Sequence, residues 1–125
     1  MANTALTTAA TVLLLDTVYL TVFQKMFYEQ IRRVQRNPVE FKFLYVVLCY
    51  LTLIAGLLYF VILPRKSVWD AFFLGVLVYG VYETTTMAIF KEWTVGMVAL
   101  DTLWGGVLMA TTTYVVYSIF PGKGN

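Results

Sequence analysis

The chain has 125 residues, 60% of them hydrophobic and only 13% charged, with a net charge of +2, no histidine and one cysteine. A soluble domain averages roughly 25% charged residues, and one this small keeps much of its surface in water, so the composition argues against a soluble globule. The charge is too weak to recruit nucleic acid, and the lack of His removes the commonest acid–base group and the commonest metal ligand.

The first apolar segment covers residues 5–23 and carries Asp16. No basic residue precedes it, which sets aside a cleavable signal peptide and suggests an uncleaved signal anchor. Residues 24–36 follow as an amphipathic stretch, with Phe27, Ile31 and Val34 at near-helical spacing and Arg32, Arg33 and Arg36 between them. Such a stretch suits the membrane interface, where its arginines would meet anionic headgroups; the plainer reading is ordinary topology-setting charge.

Asn37-Pro38 marks a turn before the second apolar segment, residues 43–63, which holds Cys49 as a small packed side chain. Leu63-Pro64 ends it, because proline disfavours helix in the residue before it. Ser67 and Asp70 form a capping-box-like start to the third segment, residues 69–90. Lys91-Glu92-Trp93-Thr94 is a polar turn, and residues 95–120 form the fourth segment, closed by Pro121-Gly122.

Each segment is close to the ~20 residues that cross a bilayer as a helix, and helices satisfy the backbone where water is absent. The expected fold is therefore a single all-α integral membrane domain over residues 1–125, an antiparallel bundle of four transmembrane helices. Lys25, Arg32, Arg33, Arg36, Lys42 and Lys91 give six cations on the side of the first and third loops, against three, Arg65, Lys66 and Lys123, on the other. The positive-inside rule puts those two loops in the cytoplasm or its equivalent and both termini opposite.

Asp16, Glu83 and Asp101 interrupt the first, third and fourth segments. A carboxylate in hydrocarbon costs on the order of 3 kcal/mol on insertion scales, so such a residue needs a partner or a task. Counting about 1.5 Å per residue from Lys25 and Lys91 places all three roughly 10–15 Å below the same basic surface. Around them stand Tyr19 and Trp104, each three residues past an aspartate, and Tyr79 and Thr86, four before and three after Glu83. Residues three or four apart share a helical face, so all seven are expected in one interior polar site. Gly80, Gly105 and Gly106 would let helices approach closely. No Lys or Arg lies within a span, so at least one acid is expected to be protonated at neutral pH.

The first and fourth spans share a pattern, Leu15-Asp16-Thr17-Val18-Tyr19 and Leu100-Asp101-Thr102-Leu103-Trp104, on helices that run in opposite directions. Together with Phe27-Tyr28, Tyr82-Glu83-Thr84-Thr85 and Gly105-Gly106, these strings resemble a family of small bacterial membrane proteins known only as a domain of unknown function. Its motifs read L-D-x-x-W-L, Y-D-x-T-N and D-x-x-W-G. Tyr19 stands where that family has Trp, Glu83 where it has Asp, and Thr85 or Thr86 where it tends to have Asn. The resemblance spans nearly the whole chain and implies four helices and an acidic–aromatic site, but no activity.

Three functions remain open. The first is proton, cation or small-solute transport or relay by the three acids, with Thr17, Thr84, Thr85 and Thr102 as hydroxyl ligands, alone or in a homo-oligomer. The second is a non-catalytic subunit of a larger membrane complex, with the acids as interhelical glue. The third is a small lipid-modifying enzyme using paired carboxyls as acid and base. No catalytic residue, metal ligand or cofactor is assigned, and an enzyme is the less favoured class.

Overall fold

The structure, a computed structural model, describes residues 1–37 and 39–122; Pro38 of the expected turn and Lys123 of the charge count lie outside them. The described residues form helices and no strand. Helix α1 (Ala2–Val22) is followed through Phe23 by α2 (Gln24–Gln35), which ends at Arg36 in the left-handed region, φ 60°. Helix α3 (Phe43–Leu57) continues as a π-helical turn over Leu58–Ile62. Helices α4 (Val68–Ile89) and α5 (Val95–Ile119) complete the chain. Four stretches, Ala2–Val22, Phe43–Ile62, Val68–Ile89 and Val95–Ile119, are long and apolar enough to cross a membrane.

The helix ends follow from local chemistry. Ser67 caps α4: its hydroxyl accepts from the Asp70 N–H at 3.0 Å, and its own N–H donates to the Asp70 carboxylate at 3.1 Å. Thr94 caps α5 by accepting from the Met97 N–H at 3.3 Å. The π turn has its cause in Pro64, which lacks an N–H and would collide with the carbonyl four residues back. The ladder widens by one residue instead: the Leu63 N–H reaches the Leu58 carbonyl and the Lys66 N–H that of Val61. The Tyr117 hydroxyl closes this end from α5, lying 2.6 Å from the Lys66 carbonyl and 3.1 Å from that of Val61. Arg65 lies over the Tyr117 ring, 4.8 Å from its centroid, and donates to the Phe120 carbonyl.

Helix α5 is the centre of the bundle, burying residues along its length from Met97 to Val116, whereas α3 proper buries only Leu57. The apolar core occupies the half nearest the second loop: Val12 of α1, Leu57, Val61 and Ile62, Ala71 of α4, and Leu108, Met109 and Val116 of α5. Between α4 and α5 the backbones almost touch. A Cβ on Gly75 would lie 2.0 Å from the Gly105 carbonyl oxygen, one on Gly105 2.3 Å from the Tyr79 ring, and one on Gly106 2.7 Å from Phe72. Gly75 thus joins Gly105 and Gly106 in the close contact. Gly80, expected there, is at ordinary distance, 3.5 Å from the Thr102 methyl. Lipid offers apolar side chains no reason to leave it, so close packing of this kind is what holds such helices together.

Gly75→Ala is expected to destabilise the protein by about 1–3 kcal/mol, the usual cost of overpacking, because a backbone carbonyl cannot swing aside. Gly56→Ala, whose Cβ meets nothing within 4 Å, is expected to be neutral or stabilising. Thermal unfolding of both variants in the same detergent measures the difference.

Candidate functional site

The polar side chains gather in the half of the bundle nearest the first and third loops. Asp16 is 6% exposed. Its carboxylate accepts from the Trp104 indole N–H of α5 at 2.9 Å and from the Tyr50 hydroxyl of α3. Asp101, on α5, accepts from the Tyr19 hydroxyl of α1 at 3.1 Å. The donors are exchanged: the aromatic belonging to each Asp-x-x-aromatic motif serves the aspartate of the other helix. Asp and aromatic three apart share a face, and antiparallel neighbours set each aspartate opposite the other's aromatic. The Tyr19 and Trp104 rings stack between them, 4.5 Å apart and 4° from parallel. Phe23 and Phe27 close around Tyr19 at 5.3 and 5.7 Å.

Glu83 is placed differently. It is fully buried, and neither carboxyl oxygen has a hydrogen-bond partner. The Trp93 indole, from the α4–α5 turn, lies beside it, and its N–H is likewise buried without a partner. The two groups face each other without closing a bond of normal geometry. The Thr102 hydroxyl, next to Asp101, is a further buried group without a partner.

Asp16, Tyr19, Asp101 and Trp104 are therefore brought into one network across α1, α3 and α5, with Glu83 adjoining it. Tyr79 and Thr86 do not join. The Tyr79 ring lies on Gly105 within the apolar packing, in the space that a side chain at that position would fill. Thr86 turns its hydroxyl back to the Tyr82 carbonyl at 2.7 Å rather than to Glu83. Three of the four expected hydroxyl ligands face outward. Thr17 and Thr84 bond the carbonyls four residues before them, at 2.6 Å each, and Thr85 is exposed. This back-bonding is how a threonine satisfies its hydroxyl when it faces lipid. Among the described residues no group of three or more His, Cys, Asp or Glu is placed to hold a metal ion.

Two residues escaped the sequence reading. Tyr50 sits in an unbroken apolar run, yet it is eight residues past Lys42, the same depth by count as the acids. Gln30 falls on the apolar stripe of α2, and a polar residue there is the signal. It is 4% exposed; its amide donates to the Glu92 carbonyl and accepts from the Thr94 hydroxyl at 3.1 Å. These bonds clamp α2 onto the turn that carries Trp93. Arg32, Arg33 and Arg36 are exposed on the rest of α2 and, with Glu29, line a shallow cleft.

Four membrane-length apolar helices around an internal layer of acids and aromatics define an integral, multi-pass membrane protein. The chain belongs to the family described as predicted membrane protein (DUF2177), whose model matches residues 1–118. That description gives a location and no activity. No curated protein and no solved structure matches the chain.

Tyr19→Leu and Trp104→Leu are each expected to destabilise the bundle, with a coupling of about 0.5–1.5 kcal/mol between them from the ring stack. A double-mutant cycle read by denaturant unfolding in mixed micelles measures it, and simple additivity would contradict the stacked arrangement.

Proposed function

We propose that the protein carries protons within the membrane along Glu83, Asp101 and Asp16. The observation that carries this reading is Glu83: a fully buried carboxyl with no hydrogen-bond partner. Burying an isolated carboxylate is prohibitive, and such a group neutralises instead. Glu83 is then a loaded proton site inside the half of the bundle nearest the first and third loops. Asp101 lies in the field of both other acids and is the natural next stop. A proton leaving Glu83 for Asp101 restores a carboxylate at one position and neutralises one at the other, so no net charge enters the bundle. Asp16, which accepts from the Tyr50 hydroxyl and the Trp104 indole, is the far end of the line. A proton suits the site better than a metal cation, since the acids are not grouped as ligands.

In this reading the first and third loops face the cytoplasm or its equivalent, by the six-to-three count of cations. Helix α2 then lies along that surface, with Arg32, Arg33 and Arg36 on anionic headgroups. A second reading, as an accessory subunit, is favoured by α3 and its π turn, whose aromatics Phe43, Tyr45, Tyr59 and Phe60 are all exposed, a surface suited to a partner protein.

Two measurements test the relay. Infrared spectra at pH 7 are expected to show a protonated-carboxyl band that Glu83→Gln removes; a spectrum of ionised carboxylates alone contradicts the reading. Vesicles loaded with a pH-sensitive dye are expected to show proton flux that falls to the level of empty vesicles in Asp101→Asn. Wild-type flux no greater than that of empty vesicles would leave the accessory role in its place.

A further inference from the structure

Glu83 lies six residues, or about 9 Å of helix, short of the end of α4 at Ile89. Along its own helix, the nearest surface is the polar turn that joins α4 to α5. From Met87 to Gly96, Trp93 is the only buried residue. The turn sends that one ring inward, where it lies beside the fully buried Glu83. The indole N–H has no hydrogen-bond partner there. The turn itself is held from α2. The Gln30 amide donates to the Glu92 carbonyl and accepts from the Thr94 hydroxyl at 3.1 Å, one contact on each side of Trp93. Gln30 is buried, whereas its neighbours Glu29, Arg32 and Arg33 are exposed.

We infer that the α4–α5 turn is a lid over the Glu83 carboxyl, with Trp93 as its stopper and Gln30 as its latch. A buried N–H without a partner carries a desolvation cost that water would relieve, so the Trp93 indole gains a partner when the ring swings out. Burial of the ring and the two hydrogen bonds of Gln30 oppose that motion. Trp104 differs: its indole N–H is tied to Asp16 at 2.9 Å, which makes that ring a fixed wall. The flanks of the lid suit movement, because Lys91, Glu92, Thr94 and Val95 are exposed and a Cβ on Gly96 would meet nothing within 4 Å. Lifting the turn opens Glu83 on the side of the first and third loops, and closing it shuts the carboxyl away again. Gln30 is thereby a positioning residue that acts on Glu83 through the turn and Trp93. The lid rests on the proposed proton site for its use, since a proton entering the line must reach a fully buried carboxyl, and the experiment separates the two.

The protein in vesicles is transferred into heavy water, and the infrared band of the protonated Glu83 carboxyl, assigned by its loss in Glu83→Gln, is followed as deuterium replaces the proton. Exchange is expected to be slow in the wild type and roughly five- to thirty-fold faster in Gln30→Ala, the effect of one or two lost hydrogen bonds, and faster again in Trp93→Ala. Asp70→Ala, which breaks the capping box at the opposite end of α4, is expected to exchange like the wild type. Wild-type exchange as fast as that of Trp93→Ala, or equal acceleration in Asp70→Ala, overturns the lid. A second readout needs no proton on Glu83: Glu83→Cys, in a chain that also carries Cys49→Ser, is reacted with a cationic methanethiosulfonate added in water. The thiol is expected to react slowly with Gln30 in place and several-fold faster with Gln30→Ala; equal rates overturn the lid. If the wild type shows no protonated-carboxyl band, the proton site falls and the thiol rates alone decide the lid.

Discussion

In hydrocarbon, a polar group that leaves water must take its partner from another helix, and that constraint organises this protein. Asp16 alone ties three helices together, because its two donors come from α3 and α5 while it sits on α1. Asp101 returns the link from α5 to α1 through Tyr19. The lateral order of the helices in the polar half is therefore set by hydrogen bonds, not by a gain in burying apolar side chains, which the lipid would solvate as well.

The other half of the bundle is held by fit. Gly75, Gly105 and Gly106 bring α4 and α5 so close that a backbone carbonyl and two aromatic rings occupy the missing side chains' places. This contact keeps Glu83 and Asp101 on facing, fixed helices, while α3, with only Leu57 buried before its π turn, is hydrogen-bonded to the bundle at Tyr50 and through the π turn that follows it. The tight pair is the frame of the bundle. Gln30 adds a third level by fastening α2 to the turn that carries Trp93, so the surface helix and the Glu83 region are mechanically one piece.

The fold was legible because its signals are long: apolar runs of bilayer length, proline and glycine at their ends, and a capping box that forms as read. The acids were legible because each is an expensive exception within its run. What could not be read is which face of each helix turns inward where spacing permits more than one neighbour. Tyr79 and Thr86 share a face with Glu83 by count, yet Gly105 draws the Tyr79 ring away and the Tyr82 carbonyl takes the Thr86 hydroxyl. Both outcomes depend on a partner helix or a backbone atom that spacing along one helix does not contain. Tyr50 was hidden for the opposite reason: tyrosine is common in an apolar run, and only the aspartate across the interface gives it a role.

The exchange of donors between α1 and α5 sets a problem for the order of synthesis. Asp16 enters the membrane with the first helix, 34 residues before Tyr50 is made and 88 before Trp104. At about 5–20 residues per second, the carboxyl waits seconds for its first donor and longer for its second. Early in life the chain therefore holds an acid in lipid with no mate, a state that the insertion machinery or a protonated side chain must tolerate. Tyr50 comes first and can escort it; α5, made after it, closes the polar layer with Asp101 and Trp104.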